Sequence, residues 1–391
     1  MLERIIALAL ILIILSCSKP SESEPVLNNE DDPEEAYTSP PILSYSHFHS
    51  ENSSLTRENI VKLWVYQNRY LILLTKEGDN LFCLVKMEIE TEHFEQIYCQ
   101  ESITDIEVDD EGPIYVATQF DGLLKIDGLG NILAHYKTEN SCLNSNYISA
   151  VAIDENGMIY LGELHPRNLD LETAHYVGSG LIRLDPSSSE CEIWHTDNSP
   201  LPANAILDIE VNSRGIWVST KQIRLVYTTY QESFGSSGGL VHIENNQWKT
   251  FSKEEYPQLI SHLIFDLKTV VGEELWFENS FYSGLPRSSR RSIIIRVDED
   301  GALEEIGEQA MSSQTGLKDT FGRYVFGGRK SIPISYYQTE SEATLVVVDG
   351  GLKYDFTMEI KDTMSISAMA IDMLNTIWIG GTKGLFSVGI E

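Results

Sequence analysis

Ile148-Ser-Ala-Val-Ala-Ile-Asp154-Glu-Asn-Gly157-Met-Ile-Tyr160-Leu-Gly162 reads as an alternating apolar strand, an Asp/Asn/Gly turn and a second strand carrying an aromatic residue. The pattern returns as Ile103-Thr-Asp-Ile-Glu-Val-Asp109-Asp-Glu-Gly112-Pro-Ile-Tyr115-Val-Ala-Thr118 and as Ile366-Ser-Ala-Met-Ala-Ile-Asp372-Met-Leu-Asn-Thr-Ile-Trp378-Ile-Gly380. The aromatic of the second strand recurs at Tyr70, Tyr115, Tyr160, Trp217, Trp276, Tyr324 and Trp378. The spacings are 45, 45, 57, 59, 48 and 54 residues, which makes seven units. A third strand follows behind glycine, in Gly122-Leu-Leu-Lys-Ile-Asp127, Gly180-Leu-Ile-Arg-Leu-Asp185, Gly239-Leu-Val-His-Ile-Glu244 and Gly384-Leu-Phe-Ser-Val388. A fourth ends in a polar corner, His135-Tyr-Lys-Thr-Glu-Asn-Ser141 and Trp194-His-Thr-Asp-Asn-Ser199. Four short antiparallel strands repeated seven times predict an all-β fold, a seven-bladed β-propeller over residues 42–391.

The ring closes through the N-terminus. The last unit stops after its third strand at Val388, and Phe48-His-Ser-Glu-Asn-Ser53 matches Tyr136-Lys-Thr-Glu-Asn-Ser141, the end of a fourth strand. An N-terminal strand is therefore expected to complete the last blade, which leaves no open edge.

Ahead of the propeller, Met1-Leu-Glu-Arg4 leads into eleven apolar residues, Ile5 to Leu15, and then Ser16-Cys17. The run is too short to span a bilayer and fits a secretory signal peptide over residues 1–16. Ile14-Leu15-Ser16-Cys17 resembles a lipobox, which implies lipidation of Cys17. Residues 17–41 hold seven acids, one Lys and five Pro, the composition of a flexible acidic tether. Acids soon after a lipidated Cys resemble the export signal of Bacteroidetes-type surface lipoproteins. The expected location is the outer membrane, with the cell surface and the periplasmic side both open. Across 391 residues, 59 Asp and Glu against 28 Lys and Arg give a net charge of −31, which excludes nucleic acid as a partner. The lipid anchor is the expected tie to the membrane.

These repeats resemble the two-component regulator propeller repeat. The residues that carry the likeness are Thr376-Ile-Trp378-Ile-Gly380-Gly-Thr-Lys-Gly384-Leu and the corners at 138–143 and 196–201. The resemblance runs over roughly residues 43–391 and fades in blades 1, 5 and 6. It implies the fold and an extracytoplasmic setting in which such propellers sense glycans. No kinase or response-regulator segment accompanies the propeller in this sequence.

No catalytic residue, metal or cofactor is expected. Asp109-Asp-Glu-Gly112, Asp154-Glu-Asn-Gly157 and Asp298-Glu-Asp-Gly301 stop after four residues, short of a calcium loop. Gly235-Ser-Ser237-Gly-Gly239 lacks the strand-to-helix context of a nucleophile elbow. His262 lies early in an inner strand, where a channel-facing histidine would fit a lyase-like enzyme. Cys83 and Cys99 stand equidistant from Thr91 on adjacent strands, the arrangement of a disulfide. Cys142 and Cys191 are expected at opposite faces of the disc, without a bond.

The repeat lengthens between second and third strands at Glu163–Ser179, Lys221–Gly238, Asn279–Ser292 and Gly328–Ala343. Strand alternation puts these four loops on one face, in consecutive blades 3 to 6. They carry Tyr176, Tyr230, Tyr282 and Tyr336, flat rings suited to sugars, with Arg287, Arg290, Arg291 and Arg329 beside them. The expected function is non-enzymatic binding of a glycan or other ligand at those residues, accessory to sensing or uptake. A protein-interaction module in an envelope complex is the alternative, and a lyase-like enzyme the third reading. Glu278, Glu340 and Glu342 offer local neutralisation of the arginines instead of a ligand. Sequence leaves the oligomeric state open.

Overall fold

The computed structural model describes residues 43–109, 112–167, 175–221, 225–226, 231–232, 238–282, 290–298, 300–306, 311–335, 338–350, 352–357 and 365–390. The leader, Cys17 and the tether lie outside the described residues. Among the described residues there is no helix, and so none long and apolar enough to cross a membrane.

Seven four-stranded antiparallel sheets follow one another, each meandering outward from an inner strand. Blade 1 runs through Ile60–Tyr66, Tyr70–Glu77, Leu81–Glu88 and His93–Glu101. Blade 2 comprises Ile103–Val108, Ile114–Thr118, Leu123–Ile126 and Ile132–Tyr136. Blade 3 comprises Ile148–Ile153, Ile159–Arg167, His175–Leu184 and Cys191–Trp194. Blade 4 holds Ala205–Asn212, Gly215–Lys221, Gly238–Glu244 and Gln247–Phe251. Blade 5 holds Leu263–Val270, Glu274–Tyr282, Arg290–Val297 and Leu303–Glu305. Blade 6 is Met311–Lys318, Tyr324–Ser335, Gln338–Asp349 and Leu352–Thr357. Blade 7 is Ile366–Ile371, Ile377–Gly381 and Gly384–Ile390, completed by Leu43–Phe48 from the N-terminal side. The closing strand pairs from Leu43↔Ile390 to Phe48↔Leu385.

The sheets bury their apolar faces against each other, so the core is a series of wedges between blades. Trp217 of blade 4 packs with Ile264, Phe277 and Ile295 of blade 5, and Trp378 of blade 7 with Leu63 and Leu71 of blade 1. Five of the seven aromatics occupy one ring layer, opposite inner-strand positions such as Glu107, Ala152 and Ala370. In blade 1 the aromatic sits two residues early and Ile72 fills that layer. In blade 6 it sits one residue early and Val325 fills the layer, while Phe326 turns to the other side and stacks on Trp276.

The polar corner is a hydrogen-bonded unit repeated three times. Asn140 Oδ1 accepts from Lys137 N at 2.8 Å while its amide donates to His135 O. Asn52 and Asn198 do the same at the other two corners. Two residues after the following Ser, the corners bury Leu55, Leu143 and Leu201. The glycine that opens the third strand has an equally local cause. Gly122 and Gly384 sit at φ of +74° and +110°, and a Cβ there would lie 2.2 Å from the carbonyl oxygens of Tyr136 and Phe48. Phe48 therefore stands to Gly384 as Tyr136 stands to Gly122, and the closing strand reproduces an ordinary fourth strand.

Cys83 and Cys99 are directly opposed and joined, with Cα atoms 4.1 Å apart. The expectation for the other pair is corrected: Cys142 and Cys191 are also joined, with Cα atoms 6.0 Å apart. The corner does not stay at its face of the disc. Its Asn-Ser-x-Leu segment descends between the outer strands of neighbouring blades. In the equivalent N-terminal corner, Ser54 accepts a hydrogen bond from Phe94 N in the outer strand of the next blade. Cys142 occupies that same position and meets Cys191 in the outer strand of blade 3.

Candidate functional site

The long connections of blades 3, 5 and 6 are less loop than hairpin. In blade 3 pairing runs on to Arg167↔His175, in blade 5 to Tyr282↔Arg290, and in blade 6 to Ser335↔Gln338. Blade 4 instead carries a detached pair of two-residue strands, Leu225–Val226 and Gln231–Glu232. All extend from the face where second strands turn into third strands.

Buried polar groups anchor these hairpins at their base. Glu163, wholly buried, accepts from Asn144 N at 2.9 Å and from the Ser179 hydroxyl at 2.9 Å. Asn279 does the corresponding work in blade 5, accepting from Ile260 N at 2.6 Å and donating to Leu263 O at 2.7 Å. Both residues bound the segments expected as loops, and both are fixed points of the scaffold.

Backbone register locates the expected ligand residues as follows. Tyr176 pairs with Pro166, Tyr282 with Arg290, Arg291 with Phe281, and Arg329 with Ala343. Tyr230, Arg287 and Tyr336 lie outside the described residues. Arg290 and Arg291 are consecutive in one strand, and consecutive positions belong to opposite faces of a hairpin. Of the acids expected to neutralise them, Glu278 is buried at the hairpin base and accepts from Ser280 Oγ at 2.6 Å. Glu342 stands opposite Lys330 in register.

The central channel, about 480 Å³, holds the group of residues that sequence reading did not single out. Inner strands have one free edge, whose amides need partners. Carboxylates from the preceding blade supply them. Asp105 Oδ2 accepts from Val151 N at 3.0 Å, Asp208 Oδ2 from Leu267 N at 2.8 Å, and Glu210 Oε1 from Thr269 N at 2.8 Å. Lys62 Nζ pairs with Asp105 Oδ1 at 2.9 Å, and Lys268 Nζ donates to Thr315 Oγ1 at 3.0 Å. Glu107 and Asp266 also line the channel, giving five carboxylates around Lys62 and Lys268.

Burial dominates their ionisation. It pushes Asp208 up to about 8 and Glu210 up to about 7, against the pull of Lys62. Glu107 is held well above the carboxylate range by burial and by the neighbouring Glu210 and Asp105. Burial lowers Lys268, whereas around Lys62 the carboxylates of Asp105, Asp208 and Asp266 outweigh burial and raise it. The signal lay in the repeat itself. Blades 3 and 7 place Ala150, Ala152, Ala368 and Ala370 where blades 2 and 4 place Asp105, Glu107, Asp208 and Glu210.

Two other groups weighed in the sequence lie outside this lining. His262 is not part of the lining: its ring contacts Gly238 O at 3.3 Å and Glu254 at 3.2 Å, just before the inner strand of blade 5. The turn aspartates are occupied by backbone, with Asp154 Oδ1 accepting from Asn156 N and Met158 N at 2.9 Å each. Among the described residues no three His, Cys, Asp or Glu side chains converge as a metal site.

Fold and site together define a seven-bladed propeller with a channel crossed by charge-bearing side chains and one face built up by hairpins. No protein-family model and no curated protein matches the sequence. Solved structures do share the fold. The extracellular domain of a hybrid two component system from B. thetaiotaomicron aligns over 88% of this chain at 12% identity, with a TM-score of 0.56. Virginiamycin B lyase from Staphylococcus aureus aligns over 90% of this chain and 100% of its own at 9% identity, with a TM-score of 0.58. PorZ, a surface component of the type-IX secretion system of Porphyromonas gingivalis, aligns over 84% at 12% identity and a TM-score of 0.52. The chain spans 41% of the length of the two-component domain and 46% of that of PorZ. The likeness is one of fold.

Proposed function

We propose that this chain is a lipid-anchored, extracytoplasmic propeller that binds a glycan or other extracellular ligand, without catalysis, on the hairpin face of blades 3 to 6. One observation carries the reading: four consecutive blades depart from the repeat at the same connection and on the same face, above buried anchors such as Glu163 and Asn279. A rigid ring with an elaborated face is a usual platform for recognition. The lipobox at Cys17 supplies the anchor, and the extracellular and surface settings named for two of the fold neighbours agree with an envelope location. PorZ also favours a second reading, in which the same face docks a protein partner of an envelope assembly.

A glycan array probed with the full chain, in parallel with pull-down from envelope extracts, separates the two. Replacing residues 332–340 at the tip of the blade 6 hairpin by a two-residue turn is expected to abolish glycan retention with the melting temperature unchanged. Undiminished retention would move the site off this face. Retention of a protein in the pull-down with no glycan signal would favour the second reading.

A further inference from the structure

The opposite face of the propeller carries an apolar patch on blades 6 and 7, with Val271 (41% exposed) on the same face of the adjoining blade 5 and Leu129 (68% exposed) on that of blade 2. Blades 6 and 7 each join their first two strands by a turn that opens with Asp. In blade 6, Asp319 is wholly buried, accepting from Phe321 N and Arg323 N at 2.9 Å and from the Arg323 guanidinium at 2.6 Å. In blade 7, Asp372 accepts from Leu374 N and Thr376 N at 2.9 Å and from Trp378 Nε1 at 2.9 Å. With the carboxylates turned inward, the turn tips are left to other residues. These are Phe321, 75% exposed, with Met373 and Leu374, 67% and 83% exposed. The repeat supplies its own control, because the equivalent tips read Asp110-Glu111 in blade 2 and Glu155-Asn156 in blade 3.

The two turns are neighbours. Thr320 N and Oγ1 both donate to Asn375 Oδ1, at 2.9 and 2.7 Å. Leu352, 50% exposed, sits on the third-to-fourth turn of blade 6, on the same face. The closing strand begins there as well. Leu43 pairs with Ile390, whose carbonyl accepts from Arg323 Nη2 at 3.2 Å. The chain leading back to Cys17 thus leaves the propeller beside the patch. Twenty-five residues lie between Cys17 and Leu43, and a flexible tether of that length, as the composition predicts, would span roughly 30 Å. An anchor so close gives the patch a high effective concentration at the bilayer.

We propose that Phe321, Leu352, Met373 and Leu374 rest on the phospholipid surface to which Cys17 is anchored, so that the hairpin face points away from the membrane. This rests on the lipid-anchor reading above. The fitting surface is zwitterionic phospholipid, since a chain of −31 is repelled by anionic lipid.

The four propeller cysteines are paired, so an introduced cysteine gives a distinct thiol. Leu374→Cys and Phe120→Cys are each placed in the full chain. Phe120 is 71% exposed on the turn between second and third strands of blade 2, on the hairpin face. Each lipidated protein is bound to phosphatidylcholine vesicles and labelled with a membrane-impermeant maleimide, beside its Cys17→Ala form free in solution. Leu374→Cys is expected to label at least about tenfold more slowly than Phe120→Cys on vesicles, and at a similar rate in solution. Similar rates on vesicles, with the protein vesicle-bound, overturn the orientation and leave the anchor standing. A protein with Cys17 that does not stay with vesicles overturns both. Slow labelling of Leu374→Cys in solution assigns the patch to a second copy of the chain and overturns the membrane contact.

Discussion

Asp208 shows how one side chain in the channel serves and strains the fold at once. Its carboxylate caps Leu267 N, and Lys62, Asp105 and Asp266 are the charges around it. An acid held at about 8 in the folded chain keeps its proton over a range where the unfolded chain has lost it. Stability therefore declines as pH rises from about 4 through about 8, and levels off above that. Glu210, at about 7, acts in the same direction over a narrower window. Each group contributes at most about 1.4 kcal/mol per pH unit. Asp208→Asn keeps an acceptor for Leu267 N and removes the titration. Its melting temperature is expected to fall less between pH 5 and pH 8 than that of the parent chain, and equal slopes would show that Asp208 is not protonated in the fold. The same residue marks a limit of sequence reading. Asp208 and Glu210 stand in an alternating strand as polar residues do on any solvated face. That the free edge faces a closed channel follows only once seven inner strands surround it.

Elements carry the clearest contrast between what was legible and what was not. The Asn-Ser-x-Leu corner, the Gly-Leu strand start and the Asp turn were readable because each rests on local hydrogen bonds or sterics. The path of the corner after Ser141 was not, since it depends on the gap between two blades. The disulfide of that corner links blade 2 to blade 3 across a separation of 49 residues, whereas Cys83–Cys99 spans 16 inside one blade. Loop-closure entropy gives roughly 4 kcal/mol for the former and roughly 3 for the latter. Thermal melts of the two paired Cys→Ser variants are expected to show the larger drop for Cys142→Ser/Cys191→Ser. A larger drop for the Cys83/Cys99 pair would show that the seam between blades 2 and 3 holds without its link. The connections of blades 3, 5 and 6 were expected as loops because the repeat lengthens there. Pairing continues regardless, as in Ser331↔Ser341 and Pro333↔Thr339.

At the scale of the whole molecule, the ring depends on Leu43–Phe48. Phe48 is buried beside Trp378 and Phe94, and its strand pairs with Leu385–Ile390 over all six of its residues. Deleting residues 41–50 is expected to lower the melting temperature by well over 5 °C, whereas deleting residues 18–38 leaves it within about 1 °C. Equal melting temperatures would remove the closing strand from the account of stability. The seven-fold count and the closure were both legible, because a missing fourth strand at one end and a spare one at the other are visible in a linear repeat. The candidate site was legible only in part: the lengthened connections of blades 3 to 6 could be read from the repeat, while the carboxylates and lysines of the channel came together only with the ring.

Ring closure also sets an order of events. The partners of Leu43 and Phe48 are Ile390 and Leu385, so the first strand made is the last one placed. While the chain is being synthesised or exported from its N-terminus, that strand has no sheet to join until the final blade emerges. Every shortened product, from a stalled ribosome or a cut near the C-terminus, carries an unpaired edge and a wedge of apolar surface between blades 1 and 7. Such species are recruited by one another rather than by the ring. The integrity of the ring thus rests on Gly384–Ile390 even more than on the closing strand, because its loss unpairs both Ile377–Gly381 and Leu43–Phe48.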